Sequence, residues 1–177
     1  TVVNAAMGIA TQVNTVLAPF VLDFQTALNP QIYKSYAANE KQYFFSLIFR
    51  GVKLSYFLML MLSLPIIIEM EYILKLWLNI VPPYAVVFCR LILITTLIDC
   101  ISGPMVTAVL AHGRIRSFQV AIGCLLLLIL PLSYIYLKLG YPPEGVLCIR
   151  IAVAVAALFV RLYFLKKIVQ LPLKTFI

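Results

Sequence analysis

Long apolar segments alternate with short polar ones along this chain. A helix rises about 1.5 Å per residue and the hydrocarbon core of a bilayer is about 30 Å thick, so one crossing needs roughly 20 mostly apolar residues. The pattern therefore predicts five membrane-spanning helices, at about residues 3–28, 46–69, 85–111, 117–137 and 145–165. The expected fold class is an all-α, polytopic transmembrane helical bundle.

Four polar segments connect these helices. They read NPQIYKSYAANEKQ, MEYILKLWLNIVPPY, HGRIR and KLGYPPE; all carry charge and most contain proline or glycine, so we interpret them as loops. The second also predicts a short interfacial helix, because apolar residues recur at helical spacing from Ile73 to Ile80. Tyr72 and Trp77 in this segment suit the headgroup level of a membrane.

The composition supports a membrane protein. Hydrophobic residues make up 64% of the chain and charged residues 11%, whereas about a quarter of the residues in an ordinary soluble domain are charged. The net charge of +8 does not indicate nucleic-acid binding, because the basic residues lie between apolar segments. The cysteines form no CxxC pair, and we interpret them as packed free thiols; they are Cys89, Cys100, Cys124 and Cys148.

Lysine and arginine are distributed unevenly between the two ends of the predicted helices. Ten of the fourteen fall on one side: Lys34, Lys41, Arg50, Lys53, Arg114, Arg116, Arg161, Lys166, Lys167 and Lys174. By the positive-inside rule we expect the first loop, the third loop and the C-terminus in the cytoplasm, and the N-terminus outside. The chain starts without an initiator methionine or a signal peptide, so we expect it to be the C-terminal part of a longer transporter.

Two predicted helices carry polar stripes. Thr95, Asp99 and Ser102 fall on one face of the third helix, where an ionised carboxylate should face the bundle interior or a wet cavity rather than lipid. Pro104 removes a backbone hydrogen bond and should bend this helix. The first helix has a second stripe at spacings of 3, 4, 4 and 3, formed by Gln12, Thr15, Pro19, Asp23 and Thr26.

Each stripe has two interpretations. Either the side chains line a substrate pathway, with Pro19 and Pro104 as kinks, or they form hydrogen bonds that hold neighbouring helices together. The basic residues present a similar choice. Long cationic side chains near helix ends can extend to the headgroups, but two pairs could also attract an anionic substrate; these are Arg50 with Lys53 inside and Arg90 with Arg150 outside.

Sequence signatures of enzymes and metal sites are absent. The chain contains no GxxxxGK[ST], HExxH or GxSxG motif and no acidic metal cluster, so we expect neither an enzyme nor a bound cofactor. His112 is the only histidine and adjoins a helix end, where a solvated or capping role is the simpler interpretation.

Five local sequences together resemble a known family. VVNAAMGIATQV, ALNPQIYKSYA, ILKLWLNIVPPYA, AHGRIRSFQV and LPLSYIYLKLGYPPE resemble the C-terminal half of bacterial polysaccharide-biosynthesis flippases of the O-antigen transporter type. His112 departs from the pattern, which has a small or hydroxylated residue before the glycine. The resemblance covers nearly the whole chain and implies that residues 1–177 form the C-terminal lobe, helices eight to twelve, of a two-lobe transporter.

The resemblance also implies a function. Such a protein would move an oligosaccharide linked to undecaprenyl pyrophosphate from the cytoplasmic to the outer leaflet of the bacterial inner membrane. Its partners would be this lipid-linked substrate, membrane lipid and the N-terminal lobe of the same protein. Two alternatives stay open: a multidrug or organic-cation antiporter of the same superfamily, in which Asp99 or Asp23 exchanges ions, and a non-transporting membrane scaffold.

Overall fold

A computed structural model describes residues 2–78, 80–113 and 115–169, so Asn79, Arg114 and Lys174 lie outside the described residues. The described residues form helices and no strand. The helices are α1 (Val2–Ala37), α2 (Lys41–Ile68), α3 (Met70–Trp77), α4 (Ala85–His112), α5 (Arg116–Leu127), α6 (Ile129–Lys138) and α7 (Glu144–Phe164), followed by a short π-helix (Leu165–Val169).

Five helical segments in this part of the chain are long and apolar enough to cross a membrane. They are Val2–Ala37, Lys41–Ile68, Ala85–His112, Arg116–Lys138 and Glu144–Lys167. The structure therefore confirms the predicted all-α bundle with five candidate spans, as expected of a multi-pass membrane protein.

The first helix is longer than predicted. The sequence pattern ends it near residue 28 and assigns the following polar segment to a loop, but α1 continues through Pro30 to Ala37. Ile32 is fully buried and Ser35 nearly so, which means that the packed stripe of α1 runs on past the end of its apolar segment. Tertiary packing, rather than hydropathy, determines where this helix ends.

The fourth predicted span is interrupted. The sequence predicts one continuous helix over residues 117–137, whereas α5 ends at Leu127 and α6 begins at Ile129. Pro131 explains the break, because it has no N–H group to donate to the carbonyl of Leu127. The short helix predicted in the second polar segment is confirmed as α3, in which Met70 and Leu74 are buried, and its position at the membrane interface stays a prediction.

Helix α4 lies at the centre of the bundle and packs against α1, α2 and α7. Two apolar clusters form the core. One surrounds the N-terminal half of α4 and includes Phe88 and Leu93, and the other surrounds its C-terminal half and includes Met105 and Val109. Between the clusters, α4 turns polar side chains toward α1 and α7, and this level of the bundle holds the candidate site.

Candidate functional site: a polar cavity inside the bundle

A cavity of about 890 Å³ lies between α1, α4, α7 and the junction of α5 with α6. Apolar residues such as Leu22, Val106, Leu126 and Ile129 form part of its wall. The rest of the wall is polar or charged, and its side chains are Asn14, Gln25, Thr26, Asn29, Thr95, Thr96, Asp99, Ser102, Thr107, Arg150 and Arg161. This concentration of polar groups inside an apolar bundle makes the cavity the candidate site.

The proline of α4 creates one of the contacts at this wall. In a regular helix the N–H of residue 104 would donate to the carbonyl of Cys100, but Pro104 has no N–H group. Gln25 of α1 donates from Nε2 to that carbonyl across 2.7 Å, and the bond is buried. Gly103 provides the space, because a Cβ atom at this position would overlap the side-chain amide of Gln25. The α1 amide therefore replaces the missing backbone donor of α4.

Two further side-chain bridges join α1 to α4. Thr96 Oγ1 donates to Asn14 Oδ1 across 2.7 Å, and Thr107 Oγ1 donates to Asn29 Oδ1 across 2.8 Å. Both hydroxyls also lie within hydrogen-bond distance of a carbonyl one turn earlier in α4. Since the residue numbers rise together along both helices, α1 and α4 run parallel, and their amide and hydroxyl groups meet along one seam.

Helix α7 contributes two guanidinium groups opposite this seam. Arg161 donates from Nη1 to Ser102 Oγ, while its Nε is buried without a partner among the described residues. Arg150 is exposed to the cavity. Both interact electrostatically with the carboxylate of Asp99, although the described residues place no cation within 4.0 Å of that carboxylate. The cavity thus holds two positive charges and one negative charge.

The cavity brings together some of the residues predicted from the sequence. Thr95, Asp99, Ser102 and Arg150 line it, and Pro104 lies on the same helix beside them. The predicted residues that do not line it are Gln12, Thr15, Asp23, Arg50, Lys53, Arg90 and the kink candidate Pro19. Their roles in a substrate pathway stay predictions, because a position outside this cavity does not exclude such a role.

The stripe on α1 lies beside the cavity rather than in it. Gln12, Thr15 and Asp23 are exposed on the surface of the bundle, and of the stripe only Thr26 reaches the cavity wall. Thr15 donates its hydroxyl to the carbonyl of Thr11 across 2.6 Å, so this polar side chain is satisfied within its own helix.

Arg90 makes a different contact from the one predicted. Its Nε donates to the carbonyl of Ile67 across 3.1 Å, and Nη2 lies 3.5 Å from that of Ile68. These carbonyls belong to the last turn of α2, which has no further helical donors. Arg90 therefore caps α2 and fixes it to the start of α4, whereas its predicted partner Arg150 lies at the cavity.

Sequence reasoning missed six polar residues of the wall. They are Asn14, Gln25, Asn29, Thr96, Thr107 and Arg161. A signal was present, because Asn14, Gln25 and Asn29 are separated by 11 and 4 residues, which is about three turns and one turn of a helix. Arg161 lies near the end of its apolar segment, where the sequence alone predicts that a long cationic side chain extends to the headgroups.

The described residues include no group of three or more His, Cys, Asp or Glu side chains that could hold a metal ion. The chemistry of the cavity is therefore that of hydrogen-bonding amides and hydroxyls, two guanidinium groups and one carboxylate. Comparison with protein-family models, with curated proteins and with solved structures finds no match to this chain.

Proposed function

We propose that this chain is the C-terminal lobe of a flippase that moves an oligosaccharide linked to undecaprenyl pyrophosphate across the bacterial inner membrane. The observation that carries the proposal is the polar cavity with its excess of positive charge. Among the described side chains that line it, Arg150 and Arg161 face a single carboxylate, Asp99. Guanidinium groups bind phosphate oxygens through charge-assisted, often bidentate hydrogen bonds.

Arg161 is the better placed of the two cations for this role. Its Nη1 is held by Ser102, and its buried Nε has no partner among the described residues. A buried donor without an acceptor is costly, so an oxygen of the substrate would supply what this guanidinium lacks. A phosphate group bound between α4 and α7 satisfies this requirement.

The cavity also suits a substrate that has a lipid tail. Leu126 and Ile129 form its wall at the junction of α5 and α6, and few residues of this span are buried in the bundle. A polar headgroup could occupy the cavity while its tail stays in the surrounding lipid. In the proposed orientation the first loop, the third loop and the C-terminus are cytoplasmic, as the excess of lysine and arginine on that side predicts.

The test measures the export of lipid-linked oligosaccharide per amount of folded protein in the membrane. Replacing both cavity arginines, as Arg150→Gln with Arg161→Gln, should reduce export by at least tenfold, since each charge-assisted hydrogen bond contributes about 1.5–3 kcal/mol. The matched control removes two exposed cations outside the cavity, as Lys34→Gln with Lys138→Gln, and should export normally. Normal export by the cavity variant would refute the anionic substrate.

The exposed carboxylate of Asp99 favours a second candidate function. A carboxylate that faces a cavity without a close ion pair could bind an organic cation or exchange protons, as in an antiporter. Asp99→Asn keeps the shape and removes the charge. Loss of organic-cation efflux in this variant, together with normal efflux in the double arginine variant, would select the antiporter over the flippase.

A further inference from the structure

Three amide side chains of α1 are arranged in the same way along the cavity. Asn14, Gln25 and Asn29 each use one polar atom to contact α4, through the bridges to Thr96, to the Cys100 carbonyl and to Thr107. The second polar atom of each amide makes no hydrogen bond within the described part of the chain. These second atoms are Nδ2 of Asn14, Oε1 of Gln25 and Nδ2 of Asn29.

The second atoms are accessible to a ligand. Buried polar atoms without a partner do occur among the described residues, for example Ser55 Oγ and Ser63 Oγ, but none belongs to these amides. Gln25 is only 7% exposed but is one of the residues that line the cavity. Each amide is thus fixed at one atom by α4, and its second atom is left without a partner at the cavity wall; in Gln25 this second atom, Oε1, lies against Gly103.

The positions of the amides define the shape of the ligand. Asn14 and Asn29 are fifteen residues apart, which corresponds to about 22 Å along a helix. The wall presents N–H donors at its two ends and a carbonyl acceptor at Gln25. A phosphate group only accepts hydrogen bonds from such a wall, and a hydrophobic cation makes none. Neutral hydroxyl groups both donate and accept, so an extended polyhydroxylated molecule matches all three amides.

We propose that Asn14, Gln25 and Asn29 form a sugar-binding wall that recognises the oligosaccharide part of the substrate, while the arginines of α7 bind its phosphate part. This inference rests on the proposed function and adds which side of the cavity binds which part of the substrate: the amides of α1 bind the sugars, and the arginines of α7 bind the phosphate. The α4 contacts fix each amide before the ligand arrives, which lowers the entropy cost of binding.

The test compares two defined lipids, undecaprenyl pyrophosphate and undecaprenyl pyrophosphate carrying an oligosaccharide long enough to reach from Asn14 to Asn29, binding to the complete two-lobe transporter in lipid nanodiscs. The variant Asn29→Leu with Thr107→Val removes both partners of one bridge, so no buried group loses its partner. The second variant, Asn14→Leu with Thr96→Val, does the same at the other end and serves if the first does not fold. The matched control removes an amide and a hydroxyl from the exposed part of α5, as Gln119→Leu with Ser117→Ala.

The unmodified transporter should bind the glycosylated lipid more tightly than the bare one. A bridge variant should reduce this preference by about three- to tenfold, the effect of one or two lost neutral hydrogen bonds, and leave the affinity for bare undecaprenyl pyrophosphate unchanged. The control should keep the full preference. An unchanged preference in both bridge variants, or equal weakening of both lipids, would overturn the sugar wall. Failure of the unmodified transporter, with both lobes present, to bind either lipid would instead refute the proposed function.

Discussion

Gln25 Nε2 donates to the backbone carbonyl of Cys100 across 2.7 Å, and this carbonyl is the one that Pro104 leaves without a helical donor. A proline in the central helix therefore does more than interrupt its hydrogen bonds. It exposes an acceptor that a neighbouring helix can use, and α1 is fixed to α4 at the level of the cavity.

The first prediction concerns this contact. Gln25→Leu should lower the free energy of unfolding by about 1–3 kcal/mol, because it leaves a buried carbonyl without a donor. Pro104→Ala restores an N–H group at residue 104, so the same Gln25→Leu change should cost clearly less in that background. Equilibrium unfolding in detergent of both single variants and the double variant gives the coupling free energy. Strictly additive effects would show that Gln25 does not replace the missing donor.

The second prediction concerns Gly103. A Cβ atom there would overlap the side-chain amide of Gln25, so Gly103→Ala should displace that amide and lower the melting temperature. Gly123→Ala on α5 is the matched control, since no atom lies within 4 Å of a Cβ built there. Alanine is favoured over glycine in a helix by up to about 1 kcal/mol, so the control should be neutral or stabilising. A higher melting temperature in Gly103→Ala would contradict the close approach of the Gln25 amide to Gly103.

The third prediction concerns Arg90. Arg90→Met keeps much of the side-chain volume but removes the donors to the last turn of α2, so it should destabilise the protein by about 1–3 kcal/mol. Arg90→Lys should retain part of this stability, since an ammonium group can still donate to one carbonyl. Unchanged thermal stability in Arg90→Met, combined with a loss of transport, would assign Arg90 to the substrate pathway instead.

The fourth prediction concerns orientation. Single cysteines at Glu40 and Arg116, in a background without the four native cysteines, should be protected in intact cells from a thiol reagent that cannot cross the membrane. A cysteine at Tyr141 should react, and all three side chains are exposed. Permeabilised cells provide the control, because every site should then be labelled. Labelling at Glu40 but not at Tyr141 in intact cells would reverse the orientation.

The fifth prediction concerns the short helix α3. The Lys75 ammonium donates to Glu71 Oε1 across 2.8 Å and holds the pKa of Glu71 below its ordinary value of 4.5. Because the pKa is lowered in the folded state, this pair stabilises α3 above pH 4.5 and the contribution disappears as the pH falls through the lowered pKa. Lys75→Gln should raise the pKa of Glu71, measured by NMR titration, whereas Lys75→Arg should keep it low. An unchanged pKa in Lys75→Gln would contradict the ion pair.

The hydrophobic pattern by itself determined the fold class and the approximate position of the five spans. Transfer of apolar side chains into lipid depends on local composition, and a crossing needs a run of fixed length, so both can be read along the chain. The sequence also identified Asp99 as a residue that must avoid lipid, because a carboxylate is costly there whatever its neighbours are. Pro104 was likewise identified as a point where the helix loses a hydrogen bond.

Only the tertiary structure decided which polar side chains share a cavity. Gln25 and Cys100 are 75 residues apart, and nothing local to either indicates that they meet. The polar stripe of Gln12, Thr15 and Asp23 has the same periodicity as a cavity-lining face, yet the packing of α1 on α4 turns Gln25 and Asn29 inward instead. Periodicity shows which residues lie on one face of a helix, whereas the neighbour of that face depends on how all the helices pack, and that information is not local in the sequence.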